Sequence, residues 1–299
     1  MPKKCSSTLA ATRTAPCMAA TRTANSRHIV TGNYGVVLGV SRNCCNFALP
    51  KGFATAQATQ IIDAMIETAL YLIPVPLSDV DTDAVLPSAN TAIVREIKHF
   101  IVENVRSARR FLKKCDRDID IDSLTFFTLN GHTRTEEIAT FLQPLKDGCP
   151  MGVISEAGCP AIADPGADVV AIAQREKLRV VPLVGPSSII MSLMGSGFNG
   201  QSFAFCGYLP IDATERARKF KDMEANIRRL DQTQIFIETP YRNNRLIAEM
   251  VKTLPKTLRL CVASDITGKN EKILTRTIEQ WGHMKYDYDK IPTIFLLHK

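Results

Sequence analysis

The sequence lacks the cysteine and histidine spacings that hold zinc. None of its nine cysteines forms a C-x-x-C pair, and its five histidines are scattered along the 299 residues. No combination of serine, histidine and aspartate indicates a covalent nucleophile. We therefore predict reduced, unpaired thiols in a cytoplasmic protein, with neither a metal site nor a covalent intermediate.

Long apolar runs and the usual nucleotide-binding glycine motifs are also missing. Gly, Pro or Ser interrupts every apolar stretch before it reaches the ~18 residues that a membrane span needs. Neither G-x-G-x-x-G nor a P-loop is present, which counts against NAD and ATP as ligands. The sequence thus predicts a soluble protein with no membrane partner.

The first 64 residues contain almost no acidic side chains. They hold seven basic residues and a single acid, Asp63, so most of the formal net charge of +7 lies there. Their Ala, Thr, Arg and Ser content is typical of an unstructured tail, a transit peptide, or DNA translated ahead of a later start codon. We expect residues 1–64 to be a disordered or mispredicted extension. Their charge is poor evidence that the rest of the chain binds nucleic acid.

From residue 65 onward, short apolar runs alternate with amphipathic segments, which predicts an α/β fold. A Gly- and Pro-rich break near residue 198 divides it into an N-terminal α/β domain, 65–198, and a C-terminal α/β domain, 199–299. Helices are predicted after Asp164, over 187–194 and over 214–230, the last with Ala217, Phe220, Met223, Ile227 and Leu230 on one face. The predicted strands are 70–73, 99–103, 151–155, 179–184, 234–238, 259–263, 273–277 and 293–297.

Three predicted strands end in loops rich in Gly and Pro. These loops are IPVPL at 73–77, SEAGCPAIADPG at 155–166 and VGPSS at 184–188. Ligands of open α/β sheets bind beyond the carboxyl ends of strands, where a backbone without bulky side chains can approach them closely. The loops therefore predict one shared crevice, although each taken singly is also explained by ordinary turn chemistry.

Two further segments concentrate charged side chains. Residues 106–117 place a basic stripe on one face of a predicted helix, which is typical of a solvated face and also suits RNA phosphates. FIETPYRN at 236–243 places Glu238 at a strand end and Arg242 at a helix start, where they suit a cleft or a structural ion pair. The stripe consists of Arg106, Arg109, Arg110, Lys113, Lys114 and Arg117.

These segments, in this order, resemble the tetrapyrrole methylase superfamily, and most closely its ribosomal RNA small-subunit methyltransferase I branch. Residues 155–166 are similar to that branch's S-D-A-G-T-P-x-I-S-D-P-G, and residues 184–187 to its P-G-P-S. Its F-x-F-x-G-F-L-P is similar to 203–210, its E-S-P-H-R to 238–242 and its A-E-D-T-R to 102–106. The resemblance covers about residues 69–298.

The resemblance implies S-adenosylmethionine in a cleft between two α/β domains, usually of a homodimer, and methyl transfer to the 2′-hydroxyl of a cytidine in 16S ribosomal RNA. Glu103 and Glu238 are then the candidate bases, and Arg106 or Arg242 orients them or a phosphate. The residues implied to bind the donor are Pro74, Pro76, Ser155, Glu156, Ala157, Gly158, Pro160, Asp164, Pro165, Gly166, Gly185, Pro186, Ser187 and Ser188.

The chain departs from the family pattern at several of these positions. Ser78 stands in place of the first loop's glycine, Asn104 in place of an aspartate, and Val105 and Cys159 in place of threonines. Glu156 replaces an aspartate and keeps the carboxylate one methylene longer. We expect donor binding to survive these changes.

Three functions are compatible with the pattern. They are a ribosomal RNA 2′-O-methyltransferase, a methyltransferase acting on a small tetrapyrrole precursor, and a non-catalytic protein that binds the donor. The basic stripe favours RNA as the acceptor, because a tetrapyrrole would favour a deep apolar cleft. We also expect Asp164 to cap the helix that follows it and Glu156 to lie nearer the cleft.

Overall fold

The computed structural model describes residues 66–129 and 133–299, which all lie in one compact unit. The predictions for residues 1–64 therefore fall outside the described residues. The first half of the described chain forms a five-stranded parallel sheet in the order β3-β2-β4-β1-β5. Its strands are β1 (Leu70–Ile73), β2 (His99–Val102), β3 (Thr125–Thr128), β4 (Met151–Ile154) and β5 (Val180–Pro182).

Helices cover both faces of this parallel sheet. Successive residues of β2 enter two different cores, since Phe100 packs with Phe111 and Leu112 on one face while Ile101 packs with Leu142 and Val169 on the other. Burial on both faces explains why the three central strands, β1, β2 and β4, are largely apolar along their length. The helices are α1 (Thr82–Val85), α2 (Ser88–Glu96), α3 (Val105–Cys115), α4 (Thr135–Phe141), α5 (Gln143–Lys146) and α6 (Gly166–Arg175).

The second half forms a mixed sheet in the order β6-β7-β10-β8-β9. Only β6 and β7 pair in parallel, and the other neighbours are antiparallel. Its strands are β6 (Phe203–Tyr208), β7 (Thr233–Ile237), β8 (Arg259–Ser264), β9 (Lys272–Thr277) and β10 (Thr293–His298). Its helices are α7 (Ser188–Ser196), α8 (Ala213–Leu230), α9 (Asn243–Thr253) and α10 (Ile278–His283).

Helix α7 packs against the second sheet. Leu193 shares a buried cluster with Ile235 and Leu296, and the Thr275 hydroxyl donates a 2.8 Å hydrogen bond to the carbonyl of Ser196. The helix ends at Ser196 and is followed by Gly197 in the left-handed conformation. The domain boundary near residue 198 stays a prediction, and this packing favours placing it before Ser188.

The α/β class and all eight predicted strands are confirmed, each within two residues of its predicted bounds. Two strands were not predicted, and both are edge strands, β3 and β6. The Gly- and Pro-rich stretch after residue 198 was not predicted to hold a strand, but β6 runs through it. The pairing of β6 with β7 shifts register after Phe205, and Gly207 has a φ of 66°, so the strand lacks a regular alternation.

Two residues lie elsewhere than their helical spacing predicted. Leu230 is 48% exposed because α8 ends there and Asp231 turns the backbone into the left-handed region. Arg117 lies beyond the end of α3 at Cys115, so the basic stripe on the helix ends at Lys114. No helix in the described part of the chain combines the length and apolar character of a membrane span.

Candidate functional site

A cleft of about 390 Å³ lies beyond the carboxyl ends of β2 and β4, and residues of the second sheet form its other wall. This volume falls in the range of roughly 300–1,000 Å³ that is typical of small-molecule sites. The structure brings together nine of the predicted site residues around it. They are Glu103, Ser155, Glu156, Ala157, Gly158, Asp164, Ser187, Ser188 and Glu238.

The three Gly/Pro-rich loops contact one another directly, as a shared crevice requires. The N–H of Val75 donates to the carbonyl of Gly158 at 2.9 Å, and the N–H of Gly158 donates back to Val75 at 3.1 Å. The Cys159 thiol lies 3.4 Å from the carbonyl oxygen of Pro186. Backbone pairing therefore joins the first two loops, and a weak thiol hydrogen bond joins the second to the third.

Two glycines in these loops are required by their surroundings. Gly158 has a φ of +69°, and a Cβ atom there would lie 3.0 Å from Cδ2 of Leu77. A Cβ atom on Gly185 would lie 2.2 Å from Cγ of Pro74. Gly158 thus keeps the cleft wall free of side-chain atoms, while Gly185 lets Pro74 pack against the third loop.

The loop after β4 is held in a strained conformation. Ala161 and Ala163 have φ values of 65° and 62°, a region that costs an L-residue about 1–2 kcal/mol. Oδ1 of Asp164 accepts hydrogen bonds of 2.8 Å from the N–H groups of Ala161 and Gly166. Because Gly166 is the first residue of α6, Asp164 anchors the helix start as predicted, although Pro165 occupies the cap position itself.

Three carboxylates lie close together where β2 and β4 end. Burial raises the pKa of Glu103, and the charges of Asp164 and Glu156 raise it further, while the N–H of Glu156 partly opposes this by donating to the carboxylate. Burial also raises the pKa of Asp164, against the two N–H groups that it accepts. The cleft therefore carries concentrated negative charge on one wall, which suits a cationic ligand.

Glu238, on the opposite wall, is held by its own chain through one carboxylate oxygen. Its side chain is 3% exposed, and Oε1 accepts from Nε of Arg242 at 3.1 Å and from the N–H of Thr239 at 2.7 Å. Of the two functions that the sequence left open for Glu238 and Arg242, this geometry favours the structural ion pair. The pair fixes the turn between β7 and α9.

The other predicted site residues support the cleft or lie beside it. Pro160, Pro186 and Gly166 are buried, and Pro74 packs on Gly185 behind the wall. Pro165 precedes α6, whereas Arg106 lies exposed in the first turn of α3. None of the following lines the cleft in the described structure: Pro74, Pro76, Arg106, Pro160, Pro165, Gly166, Gly185, Pro186 and Arg242.

The sequence did not predict the apolar side of the cleft. Leu77 comes from a loop that was recognised and Ile189 from the predicted helix that follows the third loop, but Phe205, Tyr208 and Ile266 belong to the second sheet and its loops. Tyr208 is 61% exposed. The available signal was the motif resemblance over 203–210, since Phe205 and Tyr208 lie in that segment.

The residue that replaces the family glycine in the first loop has a defined partner. The Ser78 hydroxyl lies 3.1 Å from that of Thr267, in the loop between β8 and β9. Ser78 does not have a positive φ, whereas Thr267 does, at 66°. The side chain at position 78 therefore links the two sheets' loops, and the backbone there does not need glycine.

No protein-family model matches the chain. Three relatives are named ribosomal RNA small subunit methyltransferase I. The relative from Vibrio cholerae is 29% identical over 204 residues, 68% of this chain and 67% of its own length. The relative from Haemophilus influenzae is 35% identical over 154 residues, which are 52% of this chain and 53% of its own length. The relative from Mesorhizobium japonicum is 29% identical over 220 residues, which are 74% of this chain and 71% of its own length.

Two solved structures share the arrangement of the two sheets. The methyltransferase CobJ superposes with a TM-score of 0.54 at 12% identity, covering 77% of this chain and 94% of its own. Diphthine synthase superposes with a TM-score of 0.55 at 16% identity, covering 77% of this chain and 89% of its own. This chain is a homologue of ribosomal RNA small subunit methyltransferase I with a tetrapyrrole methylase fold. The resemblance inferred from the sequence motifs is thus confirmed.

The cleft of this methyltransferase homologue is built from the same segments that carry the resemblance. Glu103, Gly158 and Glu238 lie in three of the motifs, and all three line the cleft. Among the residues that the structure describes, no group of three or more His, Cys, Asp or Glu side chains is arranged to hold a metal ion.

Proposed function

We propose that this protein is an enzyme that transfers the methyl group of S-adenosylmethionine to a ribose 2′-hydroxyl of ribosomal RNA in the small subunit. The observation that carries the proposal is the cleft itself, which is lined by the carboxylates at the ends of β2 and β4, by the backbone loop around Gly158, and by apolar side chains from both halves of the chain. The methyltransferase names of the three relatives support the reaction class, and their shared name supports ribosomal RNA as the acceptor.

The cleft fits a methyl donor of this kind. S-adenosylmethionine supplies a methyl group already activated on a sulfonium cation, so the protein has mainly to align the reactants and exclude water. Glu103 and Glu156 place negative charge where a cation would bind. The backbone around Gly158 and the third loop's Ser187 and Ser188 offer polar groups, while Leu77 and Ile266 supply apolar contact.

Glu103 is the residue that we assign as the general base toward the acceptor hydroxyl. Its carboxylate lines the cleft, and its pKa is raised by burial and by the neighbouring carboxylates. A carboxylate with a raised pKa holds a proton more firmly and is therefore the better proton acceptor. Glu238 is less suited to this step, because one of its carboxylate oxygens, Oε1, already accepts three N–H groups from Thr239 and Arg242.

Label transfer tests the proposal. The protein is incubated with methyl-labelled S-adenosylmethionine and with 30S subunits from cells that lack the homologous activity. We expect label in 16S ribosomal RNA, in a dinucleotide that resists alkali because its 2′-hydroxyl is blocked. Label on the base rather than the ribose would overturn the assignment of the acceptor atom.

A small tetrapyrrole is the second acceptor to test, because the solved relatives include a cobalt-precorrin-4 methyltransferase. Label in a tetrapyrrole precursor and none in RNA would replace the proposed acceptor. Donor binding with no label in either acceptor would instead indicate a non-catalytic protein. We also propose a homodimer, which light scattering of the purified protein tests directly.

A further inference from the structure

Helix α3 is sharply divided between an apolar and a basic face. Ala108, Phe111 and Leu112 are buried against the first sheet. Five basic side chains occupy the remaining surface, and all of them are exposed. They are Arg106, Arg109, Arg110, Lys113 and Lys114.

The basic face has little compensating charge on its own helix, although Asp116, just beyond the helix end, lies near Lys113 and pairs with Arg95. Helix α3 contains no acidic residue, and among the described residues the one ion pair that its five cations form is between Lys114 and Asp79. Like charges three or four residues apart on a helix destabilise it by a few tenths of a kcal/mol per pair. An ordinary solvated helix face avoids this cost by alternating the signs, so the absence of acids points to an anionic partner.

The basic face begins at the cleft. Glu103 lines the cleft, and the next residue, Asn104, caps α3 by accepting from the N–H groups of Arg106 and Ser107. Arg106 is therefore within one helical turn of the cleft residues. At about 1.5 Å per residue, the basic face extends roughly 12 Å from Arg106 to Lys114.

A second element continues the positive surface. The pKa of Asp79 is lowered first by its hydrogen bond from Lys114 and also by the nearby charges of Lys269 and Arg110. Lys269 lies in the loop between β8 and β9, the loop that contacts Ser78 through Thr267. Cations from α3 and from the β8–β9 loop thus lie near Asp79 beside the first cleft loop.

We infer that the exposed face of α3, from Arg106 to Lys114, binds the phosphate backbone of the RNA strand whose ribose enters the cleft. The inference rests on the proposed function and adds the surface that holds the acceptor. Phosphate contacts set the position and register of a nucleic acid and carry no sequence information directly. The helix therefore positions the strand, and the cleft selects the reacting ribose.

A pair of matched double variants tests this surface. Arg110→Gln with Lys113→Gln removes two charges three residues apart on α3. Arg218→Gln with Lys221→Gln removes two exposed charges at the same spacing on α8, in the other half of the molecule. The dissociation constant for 30S subunits is measured for each at several KCl concentrations, and S-adenosylmethionine binding is measured by calorimetry.

We expect the α3 pair to bind 30S subunits roughly tenfold more weakly at low salt, with a plot of log K against log [KCl] less steep by about 1.4–1.8. The α8 pair should match the unchanged protein, and both should bind the donor normally. Arg110→Lys with Lys113→Arg keeps both charges and should keep the slope, which separates loss of charge from loss of folding.

Three outcomes would overturn the inference. They are an unchanged slope for the α3 pair, an equal loss for the α8 pair, and binding to phosphatidylserine vesicles in place of RNA. Failure of the proposed function looks different, because the unchanged protein would then transfer no label to RNA. If the unchanged protein transfers label to RNA but the α3 double variant binds 30S subunits as the unchanged protein does, the inference alone is refuted and the proposed function stands.

Discussion

Glu103 and Glu238 face the same cleft but differ in what surrounds their carboxylates. Glu103 is partly buried next to two other carboxylates, which raises its pKa. Glu238 lies in an ion pair with Arg242 and accepts a backbone N–H group. One environment favours proton uptake and the other pairs the carboxylate with a guanidinium, so the same substitution has different consequences at the two positions.

Glu103→Gln should lower methyl transfer by about 10²–10⁴-fold, the usual contribution of a general base, with donor affinity retained. In the unchanged protein, kcat/KM should fall as the pH drops through the raised pKa of Glu103, because the protonated carboxyl cannot accept a proton. The pH–rate profile of the variant should lack this acidic limb. If the variant keeps the full acidic limb, a residue other than Glu103 is the general base.

The same pair of residues predicts opposite changes in stability. A carboxyl group whose folded-state pKa is raised favours folding below its unfolded pKa, of about 4.3, and loses that contribution as the pH rises through the folded value. Glu103→Gln should therefore raise the free energy of unfolding at neutral pH, with the gain vanishing in acid. Glu238→Gln should lower it, since Arg242 would lose its ionic partner.

At the scale of single elements, α3 depends on one side chain for its start. Oδ1 of Asn104 accepts from the N–H groups of Arg106 and Ser107, at 2.9 and 3.2 Å. The first-turn N–H groups have no partner within the helix, so a cap satisfies them. Asn104, a departure from the family's aspartate, is therefore a capping residue that keeps the oxygen acceptor at this position.

Asn104→Ala should destabilise the protein by about 1 kcal/mol, the usual effect of losing such a cap. Urea unfolding at constant ionic strength measures the change. Asn104→Asp is the matched control, because it keeps the accepting oxygen and restores the family's residue. Equal destabilisation by both substitutions would show that the amide group, and not the cap, is what the site requires.

At the scale of the whole molecule, the cleft takes residues from both sheets and their connecting loops. Leu77, Glu156 and Gly158 come from the first half, while Phe205 and Ile266 come from the second. A ligand that contacts both walls is bound by the folded chain and not by the unfolded one, so it stabilises the fold by mass action.

S-adenosylmethionine at 100 times its dissociation constant should raise the free energy of unfolding by about 2.7 kcal/mol. Thermal denaturation with and without the donor measures this as a higher midpoint. Gly158→Val should abolish the shift, because its side chain would meet Leu77 from a left-handed backbone. Gly200→Val is the control, since a Cβ atom at Gly200 meets nothing within 4 Å. An equal shift in both variants would mean that the donor binds elsewhere.

Much of the fold and one wall of the cleft could be predicted from the sequence because local rules determine them. Continuous apolar runs specify strands buried on both faces, and Gly and Pro specify loops such as 155–166. The edge strands β3 and β6 were not predicted. The residues of β3 are only partly buried or exposed, and β6 is interrupted by a register shift, so neither shows a regular apolar pattern. Leu230 was predicted on the buried face of α8 for a similar reason, since helical spacing does not show at which residue a helix stops packing against the core.

Tertiary structure alone decided the chemistry of the individual side chains. The sequence determined that Glu103 and Glu238 follow strands, but only packing made one a member of an acidic cluster and the other a partner of Arg242. The apolar wall likewise required the second sheet to be placed against the first, since Phe205 and Ile266 are far from the loops in sequence. Backbone conformation follows from neighbouring residues, whereas pKa values and cleft shape depend on atoms that only folding brings together.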